Sequence, residues 1–224
     1  MDPNHKLWNN NHQLLTRLLA KGDREAAIPL FLDQHAMVHS ARVTKCGLWS
    51  FEEEVLEGMS DVEIRRVPSG GEHSIAWILF HLSRIEDMTM NMLIAGTPQL
   101  FTRDDWAARL NVSVLHSANS MDERSVTELS ARVDLKCLRR YRTTVARRTR
   151  QVVQALGAED FKTKVDPART EWLLREGAVT SEAREIAEYW SRKTVAGLLL
   201  MPPTRHCVLH WNEAMRIKER IRKG

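Results

Sequence analysis

The sequence predicts an all-α fold, and two observations carry that prediction. Only 10 glycines and 7 prolines interrupt 224 residues. The apolar residues recur mostly at helical spacing rather than in strict alternation. A chain of this length with 43% hydrophobic residues can bury a sizeable core. We therefore predict one main helical domain.

Composition also limits the class of protein. The 33 basic residues are nearly balanced by 29 acidic ones, so the net charge of +4 gives only a mild bias toward anionic partners. The three cysteines, Cys46, Cys137 and Cys207, include no Cys-x-x-Cys spacing and do not predict a disulfide framework. The N-terminus lacks a signal-peptide pattern, and no apolar run approaches ~20 residues. These features predict a cytoplasmic protein with no membrane partner.

The N-terminal half predicts three helical segments. A short helix ends at Gly22, so we interpret residues 1–22 as an N-terminal extension and residues 23–224 as the main domain. A long helix is predicted over 24–58, with Pro29 near its start. Its apolar stripe comprises Leu30, Val38, Ala41, Leu48 and Val55. After the break at "VPSGG", helix two is predicted from Glu72 to Ala95.

The C-terminal half predicts two further main helices and a long connection. Residues 99–124 connect helices two and three, with one short helix beginning at Thr102. Helix three is predicted over 125–157, which holds no proline and no glycine before its last residue. One or two helical pieces follow, and helix four is predicted from Pro203 to Arg222. The result is a four-helix bundle with an extra N-terminal helix and helical insertions between helices three and four.

The stretch "RHCVLHWNEAM" places two histidines on one face of helix four. Four residues of α-helix turn through about 400°, so His206 and His210 project about one turn apart. Ala214 and Ile217 continue the same stripe, so this face is also predicted to be buried. Such pairs arise often by chance, and a metal site would need a third ligand.

Helix two offers His81 as that third ligand. It lies in an apolar stretch, "WILFHLSRI", where a lone histidine is commonly a core residue with a satisfied hydrogen bond. With His206 and His210, however, it makes a set of three neutral imidazoles. That set suits Zn²⁺, Ni²⁺ or Fe²⁺ and leaves a coordination position for water.

Two stretches resemble signatures of the DinB/YfiT-like superfamily. "SIAWILFHL" is similar to its second-helix motif, and "HCVLHWNEAMRIKERI" is similar to its last-helix His-x-x-x-His motif. The resemblance spans roughly residues 24–222. It implies an up-down-down-up DinB-like bundle with a divalent ion held by His81, His206 and His210. The longer N-terminus and the insertion before helix four depart from the family pattern, so pocket residues cannot be transferred.

Other histidines and carboxylates are secondary candidates. His35 and His39 form another i, i+4 pair, which could line the bundle interior, bind a separate metal or form a polar surface stripe. We favour a pocket or structural role for them, with Trp77 as another pocket candidate. Glu213 follows His210 by three residues. It could orient that ligand or move a proton as a catalytic residue, although surface carboxylates are common at such positions.

The arginine-rich stretch "RRYRTTVARRTR" raises an alternative class. A basic helix face could neutralise phosphates, but such a face more commonly pairs with acidic segments such as "FEEEVLEG". We therefore do not expect a nucleic-acid partner. His73, at the start of helix two, is interpreted as an N-terminal polar residue.

The resemblance implies a metal-dependent enzyme. Members of the family include thiol-dependent transferases and isomerases, and others assigned as hydrolases. The expectation is that the ion activates water or a low-molecular-weight thiol for attack on a small molecule. The alternative is a non-catalytic metal-binding bundle with a structural or stress-associated role. A homodimer is expected in either case.

Overall fold

A computed structural model describes residues 2–71 and 73–223. The described chain is all-α: it contains no β-strand, and one isolated bridge pairs Lys164 with Thr194. No helix within these ranges is long and apolar enough to cross a membrane. The prediction of an all-α bundle is therefore confirmed.

The helices are numbered in chain order. The α-helices of the first half are α1 Pro3–Lys21, α2 Arg24–Met37, α3 Phe51–Leu56, α4 Asp61–Arg65, α5 Ile75–Asp87, α6 Leu100–Arg103 and α7 Trp106–Leu110. Those of the second half are α8 Glu123–Arg132, α9 Leu135–Gln154, α10 Pro167–Arg175, α11 Arg184–Ser191, α12 Val195–Leu199 and α13 His206–Lys223. Two π-helical segments, Met88–Ala95 and Met201–Arg205, extend α5 and precede α13. Short 3₁₀ turns span Glu159–Lys162 and Ser181–Ala183.

Helix α5 is the central element of the fold. Ser74 caps its first turn by accepting a hydrogen bond from the backbone N–H of Trp77. Every residue from Ile75 to Asp87 is buried, and the helix packs against α8, α9 and α13. Its first half contributes to one apolar cluster, and Ile85 with the π-helical extension contributes to a second. A helix that is buried on all sides must satisfy its polar side chains within the protein.

The buried carboxylate of Asp87 connects distant segments of the chain to α5. Its carboxylate accepts hydrogen bonds from the Tyr141 hydroxyl at 2.6 Å and from the backbone N–H groups of Leu100 and Phe101 at 2.8 Å. Arg84 lies 3.8 Å away as its charged partner. These contacts fix the start of the connection between helices two and three directly on α5.

The prediction of one helix over 24–58 is wrong. Helix α2 ends at Met37, and α3 begins only at Phe51. In a continuous helix the Val38 carbonyl would accept from the N–H of residue 42. Instead it accepts hydrogen bonds from Trp211 Nε1 and Arg142 Nη2, both at 2.9 Å. Hydrogen bonds from two distant side chains therefore occupy the carbonyl that would have accepted the next helical hydrogen bond.

The prediction of an unbroken helix three over 125–157 is also wrong. Val133 is extended, and Asp134 caps the new helix α9 by accepting from the Cys137 N–H at 2.7 Å. The Asp134 N–H donates to the Leu110 carbonyl at 2.9 Å instead of to its own helix. A contact with the preceding connection thus divides the segment into α8 and α9.

The remaining elements follow the prediction with smaller differences. Helix α1 ends at Gly22, whose φ of 76° is the left-handed cap that glycine adopts readily. The predicted start of helix two, Glu72, lies outside the described residues. The connection holds two short helices, α6 and α7, rather than one. The α-helical part of helix four begins at His206 because Pro202 and Pro203 lack N–H groups and lie in the π-helical segment.

Two predictions about organisation stay predictions. One is the boundary after residue 22, although Trp8, Leu15 and Leu19 of α1 are buried in the two apolar clusters. The other is the up-down-down-up order of the bundle helices.

Candidate metal centre

Three histidines converge between α5 and α13. His81 lies in the middle of the buried α5, and His206 and His210 lie on the first two turns of α13. One ring nitrogen from each lies within 4.8 Å of the other two. His81 Nε2 and His206 Nε2 are 3.3 Å apart. The structure therefore brings together the three side chains that the two sequence motifs selected.

The tautomer of His81 is set by the connection that covers it. His81 Nδ1 lies 2.7 Å from the Ser117 carbonyl, which can only accept a hydrogen bond. The proton is therefore on Nδ1, and the Nε2 lone pair points toward His206 and His210. Ala118, the next residue, is buried with a φ of 67°. This strained backbone lies beside the carbonyl that orients His81.

His210 is oriented in the same way by a carboxylate. Its Nδ1 lies 2.8 Å from Glu213 Oε2, and the second carboxylate oxygen lies 2.7 Å from His73 Nδ1. The His73 ring stacks on Trp77 with centroids 3.6 Å apart, and Trp77 stacks on His81 at 4.7 Å. Trp77 therefore packs against the rings of His73 and His81 beside the histidine cluster.

The electrostatics of the cluster favour neutral imidazoles at His81 and His206. Burial, followed by the nearby His210, lowers the pKa of His81 to about 3. Burial, followed by His81 and His210, holds the pKa of His206 well below its ordinary value. For Glu213, burial raises the pKa, but hydrogen bonds from His210 and His73 outweigh it and bring the pKa to about 2. At neutral pH the rings of His81 and His206 are therefore neutral, and Glu213 beside His210 is anionic.

The donor set fits a divalent transition metal ion. Two nitrogens bound tetrahedrally to zinc at ~2.05 Å would be ~3.3 Å apart. The distance between His81 Nε2 and His206 Nε2 has this value. Since two facing lone pairs repel, nitrogens this close must share a proton or a cation. His206 Nδ1 is buried and has no hydrogen-bond partner among the described residues, so it lacks the orienting contact that the other two rings have.

Comparison with known families decides the family of this chain. A model of the DinB superfamily matches residues 52–214, and this range contains all three histidines and Glu213. The chain belongs to the DinB superfamily. No curated protein matches it significantly. Membership confirms the family resemblance that the two sequence motifs carried.

His35 and His39 lie elsewhere in this DinB-superfamily protein. Both rings are fully buried and face Glu86 of α5, with contacts of 2.9 Å to its two carboxylate oxygens. His81 and Glu86 are five residues apart on α5, which places them on different faces of the helix. The two pocket candidates on α2 and its C-terminal end therefore form a separate cluster, apart from the three histidines.

Three arginines of helix three, Arg142, Arg147 and Arg150, are engaged within the fold of this DinB-superfamily chain. Arg142 is buried and pairs with Glu52 of "FEEEVLEG" at 2.6 Å. Arg147 and Arg150 donate to the backbone carbonyls of Arg42 and Leu32. These side chains hold the segment between α2 and α3 against α9.

Three contributors to the two clusters were not predicted as site residues. His73 was interpreted only as a polar residue at a helix start, and the three-histidine motifs did not point to Glu86, which lies far round α5 from His81. Ser117 contributes through its backbone carbonyl, so no side-chain pattern could have revealed it. The i, i+4 spacing of His35 and His39 was the available signal. Asking which carboxylate on another helix could pair with these two histidines would have led to Glu86.

Proposed function

We propose that His81, His206 and His210 bind one divalent transition metal ion, zinc, nickel or iron. The observation that carries the proposal is the convergence of three imidazoles, with one ring nitrogen of each within 4.8 Å of the other two. The orienting contacts of His81 with Ser117 and of His210 with Glu213 support it, because metal-binding histidines almost always donate their other ring N–H to such groups.

The proposed activity is metal-dependent hydrolysis or thiol S-transfer. A divalent ion at this position would lower the pKa of water or of a low-molecular-weight thiol that binds to it. His210 is 18% exposed at its side chain, so the cluster is accessible from this side. A cavity of ≈310 Å³ borders Glu213, the residue that orients His210, and is also lined by His73 and Arg216 but by none of the three histidines. This cavity supports a small-molecule substrate.

We propose that Glu213 orients His210 and also transfers protons. Both carboxylate oxygens accept hydrogen bonds from imidazole Nδ1 atoms, so Glu213 fixes the ring plane of His210. A proton released at the cluster can pass through this carboxylate to His73, which is partly exposed and lines the cavity. Glu213 and His73 would then connect the buried histidines to solvent.

The second candidate function is a non-catalytic metal-binding bundle. The burial of His81, which is 1% exposed, favours this function because an ion there would cross-link α5 and α13. The partial exposure of His210 and the adjoining cavity favour catalysis. We propose a homodimer and a cytoplasmic location under either candidate function. Size-exclusion chromatography with light scattering tests the dimer.

Elemental analysis of protein purified without added metal tests the metal site. We expect His81→Ala and His210→Ala each to lose about one equivalent of metal relative to the wild type. His12→Ala is the matched control, because His12 lies on α1 and belongs to neither histidine cluster. Equal metal content in the wild type and both site variants would contradict the proposal.

A transfer assay separates the two candidate functions. Metal-loaded protein is supplied with a low-molecular-weight thiol and an electrophile, and in a parallel reaction with a hydrolysable ester. Turnover that is lost in His206→Ala supports an enzyme. A wild type that binds metal but turns over neither substrate class, with a lower unfolding temperature when metal is removed, supports the structural role.

A further inference from the structure

A second cluster of metal-binding residue types lies inside the bundle. His35 on α2, His39 just after that helix, and Glu86 on α5 all have 0% exposed side chains. Their ligand atoms lie within 4.8 Å of one another, and the two imidazole centroids are 4.2 Å apart. Two histidines and a carboxylate are a donor set that first-row divalent metals accept.

The contacts within this cluster have the spacing of neighbouring ligands. His35 Nε2 is hydrogen-bonded to Glu86 Oε1 at 2.9 Å. His39 Nε2 lies 2.9 Å from Glu86 Oε2, but the ring is not aligned for a hydrogen bond. Two ligand atoms bound at right angles, each ~2.1 Å from one ion, would be roughly 3.0 Å apart. The distances therefore suit a shared cation as well as they suit hydrogen bonds.

Four buried side-chain atoms of this cluster have no hydrogen-bond partner among the described residues: His35 Nδ1, His39 Nδ1, His39 Nε2 and Glu86 Oε2. His39 Nε2 and Glu86 Oε2 face each other at 2.9 Å without a hydrogen bond between them. Leaving both unsatisfied would destabilise the fold, because each atom has lost its hydrogen bonds to water on burial. A cation bound between them would satisfy the lone pair of the ring and that of the carboxylate together.

The two buried carboxylates near the cluster, Glu52 and Glu86, also favour a bound cation. Arg142 pairs with Glu52 and lies within electrostatic reach of Glu86, so one guanidinium serves two buried carboxylates. A divalent ion bound to Glu86 would supply further positive charge beside these two carboxylates.

We propose that His35, His39 and Glu86 bind a second divalent transition metal ion, distinct from the ion of the three-histidine cluster. The site is enclosed, so the ion enters during folding and has no position for a substrate. It would fasten the C-terminal end of α2, where the chain leaves the helix, to the central helix α5. Its role is structural, and it stands whether or not the three-histidine cluster is catalytic.

Metal counting after refolding tests this site. The protein is unfolded with a chelator, refolded with Zn²⁺ alone, freed of excess ion and analysed for zinc. The wild type is expected to hold about two equivalents per chain. Glu86→Gln, which keeps the size of the side chain, and His39→Gln should each hold about one. His12→Gln, outside both clusters, should match the wild type.

The outcomes separate this proposal from the proposed function. Loss of one equivalent in Glu86→Gln together with loss of one in His81→Gln supports both sites. A wild type with one equivalent, which His81→Gln abolishes and Glu86→Gln leaves in place, overturns the second site and leaves the first. One equivalent that only Glu86→Gln abolishes supports the second site and overturns the first. A wild type that holds no zinc overturns both.

A further variant tests the second site even if Glu86→Gln fails to fold. The triple variant His81→Gln, His206→Gln, His210→Gln leaves the interior cluster as the remaining predicted zinc site. If it retains the wild-type helical circular dichroism, it should bind about one equivalent of zinc and show a higher unfolding temperature with zinc than with chelator. A folded triple variant that binds no zinc overturns the second site.

Discussion

At the residue scale, the candidate centre depends on how each imidazole is oriented. The sequence motifs predicted the three side chains, and Glu213 was already a candidate for orienting His210, but nothing in the sequence indicated that the Ser117 carbonyl would fix the His81 ring. These partners decide which nitrogen carries the proton and hence which one can bind a cation. The candidate chemistry therefore rests on two groups that are not proposed ligands.

Glu213→Gln tests this orientation. A glutamine keeps the size of the side chain but loses the charge and one of the two acceptor oxygens that bind His210 and His73. We expect metal affinity to fall by about 10- to 100-fold, as measured by competition with a chromophoric chelator.

Glu219→Gln is the matched control for that prediction. Glu219 is an exposed carboxylate on the same helix, so its loss should leave metal affinity unchanged. Equal affinities in the wild type and in Glu213→Gln would contradict an orienting role for Glu213.

At the element scale, local patterns predicted that helices form but not where they are interrupted. Residues 24–58 and 125–157 both read as continuous helices because little in them breaks a helix. Each is divided by a hydrogen bond to a distant segment: the Val38 carbonyl is taken by Trp211 and Arg142, and the Asp134 N–H by Leu110. The interruption at Val38 brings His39 to Glu86.

Asp134→Ala tests the second interruption. The variant removes the side chain that caps α9, so the free energy of unfolding should fall by about 1 kcal/mol, measured by urea denaturation. Asp134→Ser, which can still accept a hydrogen bond from the Cys137 N–H, should recover most of the loss. An alanine variant as stable as the wild type would show that the cap does not stabilise this boundary.

At the scale of the whole molecule, buried polar contacts join the two halves of the chain. Arg142 of α9 binds Glu52 of α3 at 2.6 Å and the Val38 carbonyl at 2.9 Å. Trp211 of α13 donates to the same carbonyl. Three elements that are far apart in sequence are thus fixed at one point beside the His35, His39 and Glu86 cluster.

Arg142→Met tests this junction. Removing the guanidinium leaves the Glu52 carboxylate buried without its partner, which should destabilise the fold by about 3–5 kcal/mol in chemical denaturation. Arg140→Met, at an exposed position of the same helix, should have little effect. The double variant Arg142→Met, Glu52→Met should regain much of the loss, because no unpaired charge then remains. Additive losses in the double variant would contradict the coupling.

The sequence by itself determined the helical class and the family, and it predicted His81, His206 and His210 as the candidate ligands. These follow from local information: helical periodicity, the scarcity of breakers and two short motifs. Only the tertiary structure decided the helix interruptions, the full burial of α5 and the pairing of His35 and His39 with Glu86. Those features depend on contacts between residues 24 or more positions apart, such as Asp134 with Leu110, His39 with Glu86 and Val38 with Trp211. Local propensity does not encode such contacts, because each is fixed by the packing of one element against another.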